Sequence, residues 1–169
     1  VVTNSGSGNQ GITTSVPIIV YCRKKHLDEE TLYRALVFSN LCTIHEKTGI
    51  GRLSAFCGAV CAATSAGVTL TYLKGGTLEQ IGNTIRNTFA NISGIVCDGA
   101  KTTCALKIHT SLQSAFLASK LALRGKTYDA NTGILKETCE STIDAIGVLG
   151  KEGMKETDKI ILNIMLEKE

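Results

Sequence analysis

Apolar residues recur at helical spacing along most of the chain, and strand-like alternation is hard to find. The segment TNSGSGNQG, residues 3–11, reads as a flexible Gly/Ser/Asn loop. TTSVPIIVYCRKK then predicts a short helix, with Ser15 able to cap it and Pro17 in its first turn. Asp28 is a candidate N-cap, followed by Glu29 and Glu30 in a first turn where negative charge suits the helix dipole. From there LYRALVFSNLCTIHEKTG carries the helical period and closes at Gly49. A third helix is predicted from about Ser54 to Lys74, ended by Gly75 and Gly76. Its Ala, Gly, Ser and Cys residues suit a central helix buried all round. Thr77 and Gln80 form a capping-box pattern that opens the helix through IGNTIRNTFANISG. Further helices are predicted from Cys104 to Leu123, across GILKETCESTIDAIGVLG, and along MKETDKIILNIMLEKE with its stripe Ile160, Ile161, Ile164 and Met165. GVTLTYL, from Gly67 to Leu73, is the one stretch with β-like residues, and it ends a helical pattern. The expected architecture is an all-α single domain over residues 1–169, a bundle of six to eight helices.

Composition changes this picture little. Apolar residues make up 43% and charged residues 20% of 169 residues, as in a globular protein with one core. Trp is absent and aromatics are 5%, so the core must be aliphatic and small. A single Pro favours uninterrupted helices. The net charge of +3 and the lack of a basic stripe with interleaved aromatics argue against nucleic acid. No uninterrupted apolar run reaches membrane-spanning length, so no membrane is expected as a partner. The chain opens on Val1 and not on Met, which suggests the C-terminal part of a longer protein.

The candidate chemistry lies in seven cysteines. No secretory leader precedes them and they do not form a short extracellular framework, so a reducing, cytoplasmic setting is expected. Cys57 and Cys61 share a helix face, and Cys97 and Cys104 bracket a glycine-containing loop, with Cys97 expected to end a helix. Thiolates at helix starts bind metals readily. The spacing matches neither a ferredoxin nor a zinc pattern, so three readings stay open: packing, metal or cluster binding, and a reactive thiol. Cys22, Cys42, Cys61 and Cys139 carry no argument beyond packing or exposure. His26, His45 and His109 are the only histidines, and each reads first as a surface or capping residue.

The motifs SGSGNQGITTSVPI (5–18), FCGAVCAA (56–63), GGTLEQIGN (75–83) and GIVCDGAKTTCALK (94–107) resemble those of the L-cysteine desulfidase-like proteins, which are similar to the alpha chain of the bacterial iron–sulfur L-serine dehydratases. The likeness covers residues 4 to 125 in motifs and the rest in helical character. It implies a [4Fe–4S] cluster held by Cys57, Cys97 and Cys104, with one iron left open. It implies α,β-elimination of a small amino-acid substrate, L-cysteine or L-serine, to pyruvate and ammonia. Asn9, Gln10 and Lys101 become candidate substrate-binding residues, with Asp98 and the amides around Gly99 as hydrogen-bonding groups. No catalytic base is assigned, because in the related desulfidases it can lie in an N-terminal part, a further expected partner. The oligomeric state stays open, a homodimer included. The competing readings are a structural or regulatory helical domain without a cluster, and a zinc or redox module using the same thiols.

Overall fold

Helix starts follow the polar caps wherever a short oxygen can reach an unpaired backbone N–H. Asp28 accepts from the N–H of Thr31, and Thr77 and Gln80 complete a reciprocal capping box. The computed structural model describes residues 2–167. Among them the order is α1 (Gly8–Lys24), α2 (Glu29–Ile50), α3 (Gly58–Leu73), α4 (Leu78–Asn91), α5 (Cys104–Leu123), α6 (Cys139–Val148), a π-helical turn (Leu149–Gly153) and α7 (Lys155–Leu166). No sheet is present among the described residues, only two isolated bridges. The all-α expectation holds, and the stretch with β-like residues lies inside α3.

α3 is the axis of the bundle. It is buried from Gly58 to Thr71 and packs against α1, α2, α4 and α5. Small residues permit this: a Cβ on Gly67 would stand 2.7 Å from the carbonyl oxygen of Ala115 on α5. The hydroxyls of Thr64, Ser65, Thr69 and Thr71 bond back to carbonyls one turn earlier, so the polar residues of α3 are satisfied in the core. Thr14, Ser39 and Thr43 join α1 to α2 through buried hydroxyls, and Thr71 meets both Thr84 and Ser119. Two apolar clusters fill the remainder, one around Phe56, Phe89 and Ile146, the other around Ile18, Cys22 and Leu70.

Several boundaries differ from expectation. Residues 8–11 are not a loop: α1 starts at Gly8, Ser7 caps it, and Pro17 sits well inside it. Gln10, Gly11, Thr13 and Thr14 are buried, and that packing outweighs the local weakness of a glycine-rich start. Gly11 is needed for close approach, since a Cβ there would collide with the carbonyl of Val2 at 1.8 Å. α2 runs on to Ile50, and Gly51, at φ +91°, takes the C-cap position expected of Gly49. α3 begins at Gly58 and not near Ser54. α6 is confined to Cys139–Val148, capped by Thr138, with 133–138 outside it. α7 keeps its predicted stripe but buries none of it, and the last two residues of that predicted helix lie outside the described residues.

Candidate functional site

Cys97 was expected to end a helix. Instead α4 stops at Asn91, and residues 92–103 form a connection that runs past the start of α3. There Phe56 and Val96 form an isolated antiparallel bridge. The N–H of Cys57 donates to the carbonyl of Ile95 at 2.8 Å, and that of Cys97 donates to the carbonyl of Ala55 at 2.7 Å. This bridge sets Cys57 and Cys97 on the same side of the two crossing segments, diagonal to each other. Lys107, in the first turns of α5, reaches back to the carbonyl of Val96 at 3.0 Å and forms an ion pair with Asp98. The Asp98 carboxylate, a candidate hydrogen-bonding group for a cluster or substrate, is thereby engaged. Cys104 opens α5, accepts from the backbone N–H of Lys101 at 3.4 Å and donates to the carbonyl of Gly99 at 3.6 Å.

Cys57, Cys97 and Cys104 all line one cavity of about 670 Å³. The start of α1, including Asn9 and Gln10, also lines it, as do Lys47, Arg52 and Leu53. No aspartate, glutamate or histidine is among the lining residues. Lys101 is exposed and does not line the cavity; its contact with the thiols is through its backbone. Gln10 is 7% exposed, and its side chain lies so close to Gly58 that a Cβ there would stand 2.3 Å from the amide carbon. Cys61 is fully buried below the cavity, and Cys22, Cys42 and Cys139 pack within the helical core. His26 and His109 are exposed, and His45 pairs with Glu140 on the surface at 2.7 Å. A second cavity of about 640 Å³, lined by Asn87, Asn91, Ser114 and Tyr128 among others, contains no cysteine.

The electrostatics divide the cysteines. Cys97 is held below the usual thiol range because the Cys57 thiol donates to it, with the amide of Gly99 and the charge of Lys107 assisting. Cys57 is pushed up in turn, first by sharing that proton and then by burial. The pair therefore gives up one proton readily and the second with difficulty. Burial raises Cys61 and Cys22, and raises Cys42 to about 12.

A four-iron cluster is a demanding fit. Among the described residues no three His, Cys, Asp or Glu side chains converge on a position for one metal ion. A cubane differs from a single ion, because each cysteine ligates a separate iron and the sulfurs must stand apart. Three cysteines among the lining of one cavity would supply three of the four ligands of such a cluster.

The sequence reading missed Lys47, Arg52 and Lys107. Lys47 carried a usable signal: it falls on the inward stripe of α2 with Ser39, Thr43 and Ile50, where a lysine is out of place.

The fold and cavity define a helical domain with a thiol-lined site at the start of its central helix. The chain belongs to the serine dehydratase alpha chain family, whose profile matches residues 1–163. It is 51% identical over 167 residues to a UPF0597 protein of Treponema denticola, covering 99% of this chain and 39% of that protein. It is 52% identical over 166 residues to a UPF0597 protein of Lachnoclostridium phytofermentans, covering 98% and 40% respectively. A UPF0597 protein of Desulfitobacterium hafniense is 53% identical over 166 residues, with 98% and 39% covered. The chain thus spans about two fifths of the length of these relatives. No solved structure matches it. Among the described residues no helix is long and apolar enough to cross a membrane.

Proposed function

We propose that this chain is the cluster-holding part of an iron–sulfur lyase that removes the β-substituent of a small amino acid, L-cysteine or L-serine. The products are pyruvate and ammonia, with sulfide leaving from cysteine or water from serine. The observation that carries the reading is the meeting of Cys57, Cys97 and Cys104 on one cavity, while four other cysteines are consigned to packing. Those three thiols would hold a [4Fe–4S] cluster, which when bound supplies a Lewis acid for the substrate carboxylate and leaving group.

The chain's own residues supply the rest of the environment. Lys107 and the Phe56–Val96 bridge fix the two neighbouring thiols and favour the thiolate that ligation requires. Asn9 and Gln10, on the same cavity, offer neutral polar groups to a substrate. The cavity lining includes no carboxylate or histidine, so the group that takes the α-proton is assigned to the part of the relatives beyond this chain.

The test is anaerobic reconstitution with iron and sulfide, followed by iron and labile-sulfide analysis and visible absorbance. About four irons per chain, lost when Cys57, Cys97 or Cys104 becomes Ala, supports the reading. Iron-free protein throughout would leave a structural or regulatory domain of the same family, a reading favoured by the lack of a preassembled single-ion site. Bound zinc with no labile sulfide would point to a zinc module.

A further inference from the structure

Lys47 is 5% exposed, yet none of the described residues gives its ammonium a hydrogen-bond acceptor or an ion-pair partner. Buried charges are ordinarily paired, because removing an ammonium from water without compensation is costly. Its sequence neighbour Glu46 forms no ion pair with it: that carboxyl is fully buried, accepts from Ser65 at 3.2 Å, and has its pKa pushed well above the usual carboxylate range by burial. Of the thiols, Cys61, sealed in the core, feels the charge of Lys47 but forms no hydrogen bond with it. The cation felt by Cys57 and Cys97 is Lys107. What Lys47 does border is the thiol-lined cavity, and Arg52, one turn further along the chain, borders it too.

A second unpaired group faces the same space. The side-chain amide of Gln10 makes no hydrogen bond among the described residues, and its Oε1 is buried without a partner. It cannot swing freely, because it is packed against the Cα of Gly58. The cavity therefore combines in its lining an unpaired cation on a largely buried side chain, a second and more exposed cation, and a packed amide. Its lining has no acidic residue to neutralise them.

We infer that Lys47 and Arg52, with Gln10 beside them, form a subsite for the carboxylate of a small amino-acid or 2-oxo-acid ligand in this cavity. The anion site stands on the unpaired ammonium and amide; the choice of an amino-acid ligand rests on the lyase reading above. Lys47 supplies the charge that the resemblance had placed on Lys101. A carboxylate matches a cation and an amide donor together, and the Gln10 amide nitrogen, unlike its buried oxygen, is open to supply that donor. Phosphate and sulfate share the anionic chemistry but are tetrahedral, whereas a cation beside an amide N–H suits the planar pair of carboxylate oxygens.

The experiment titrates L-serine, L-serinamide and inorganic sulfate into the chain by calorimetry, before and after anaerobic cluster loading. L-serine is expected to bind, with serinamide and sulfate each weaker by about tenfold or more. Lys47→Met should weaken L-serine by about tenfold or more, Lys47→Arg should restore most of it, and Arg52→Gln should cost less because Arg52 is solvated. Circular dichroism melts check that each variant folds, and iron content checks that loading is unchanged. Wild-type affinity in Lys47→Met, equal binding of serine and serinamide, sulfate binding at least as tight as serine, or no detectable serine binding would each overturn the subsite. If iron never loads while serine binding still depends on Lys47, the lyase reading falls and the subsite stands. If iron loads and Lys47→Met binds serine like the wild type, the subsite falls alone.

Discussion

Cys57 and Cys61 lie one helical turn apart, at the start of the same helix, and have little else in common. Cys57 is the N-cap of α3 and borders a cavity together with Cys97 from a different segment. Cys61 is sealed in the core, its thiol pushed well above the ordinary range by burial. The same division runs through the whole set: Cys97 and Cys104 join Cys57 on the cavity, while Cys22, Cys42 and Cys139 are raised by desolvation within the bundle. A thiol becomes available for ligation when it is placed at a helix end, near backbone N–H groups and a cation, and beside open space. In the body of a helix it acts as a small hydrophobe.

That contrast can be broken most directly by substitution. Cys57→Ala, Cys97→Ala and Cys104→Ala should each abolish iron loading, whereas Cys139→Ala should leave it intact, as read by iron and labile-sulfide content. Full loading of any cavity variant would erase the distinction.

A smaller effect is expected at Gly58, where the cavity wall meets the helix start. Gly58→Ala would drive a methyl into the Gln10 amide and should cost about 1–3 kcal/mol in urea unfolding. The corresponding change at Gly6, where a Cβ would meet nothing within 4 Å, tests only the strain of φ +85° and should cost less.

Glu46 sharpens the comparison from the core side. Burial raises its pKa above the unfolded value, so its contribution to stability is whole below about pH 4.3 and is lost as pH rises toward the folded value. Glu46→Gln removes this titration while keeping an acceptor for Ser65. The variant should gain on the wild type as pH rises from about 5 to about 8. Chemical denaturation at the two pH values measures it, and a constant difference would contradict the assignment.

The gentlest probe is chemical. In iron-free protein at neutral pH, iodoacetamide should label Cys97 first and Cys61 last, followed by peptide mass spectrometry. Lys107→Met should slow Cys97 labelling several-fold, since it removes a charge that favours the thiolate.

Much of the helical framework was legible because its signals are local. Asp28, Thr77 and Cys104 stand where the sequence places helix starts, and the small residues of α3 announce a buried helix. The errors fell where distant segments decide. Residues 8–11 looked flexible because glycine is permissive, but Gly11 is there to let Val2 cross over the helix. Cys97 looked like a helix end because nothing nearby records the Phe56–Val96 bridge, whose partners are forty residues apart.

By itself the sequence determined an all-helical chain, a central helix of small residues, and membership of a family whose cysteine motifs it carries. Those follow from side-chain period, capping oxygens and residue size, each read within a few turns of chain. Only the tertiary structure decided which cysteines share a cavity, that Asp98 is engaged by Lys107, and that Lys47 stands buried and unpaired at the cavity wall. Burial, proton sharing and charge pairing depend on what lies across the fold, and the order of residues along the chain carries no direct record of that.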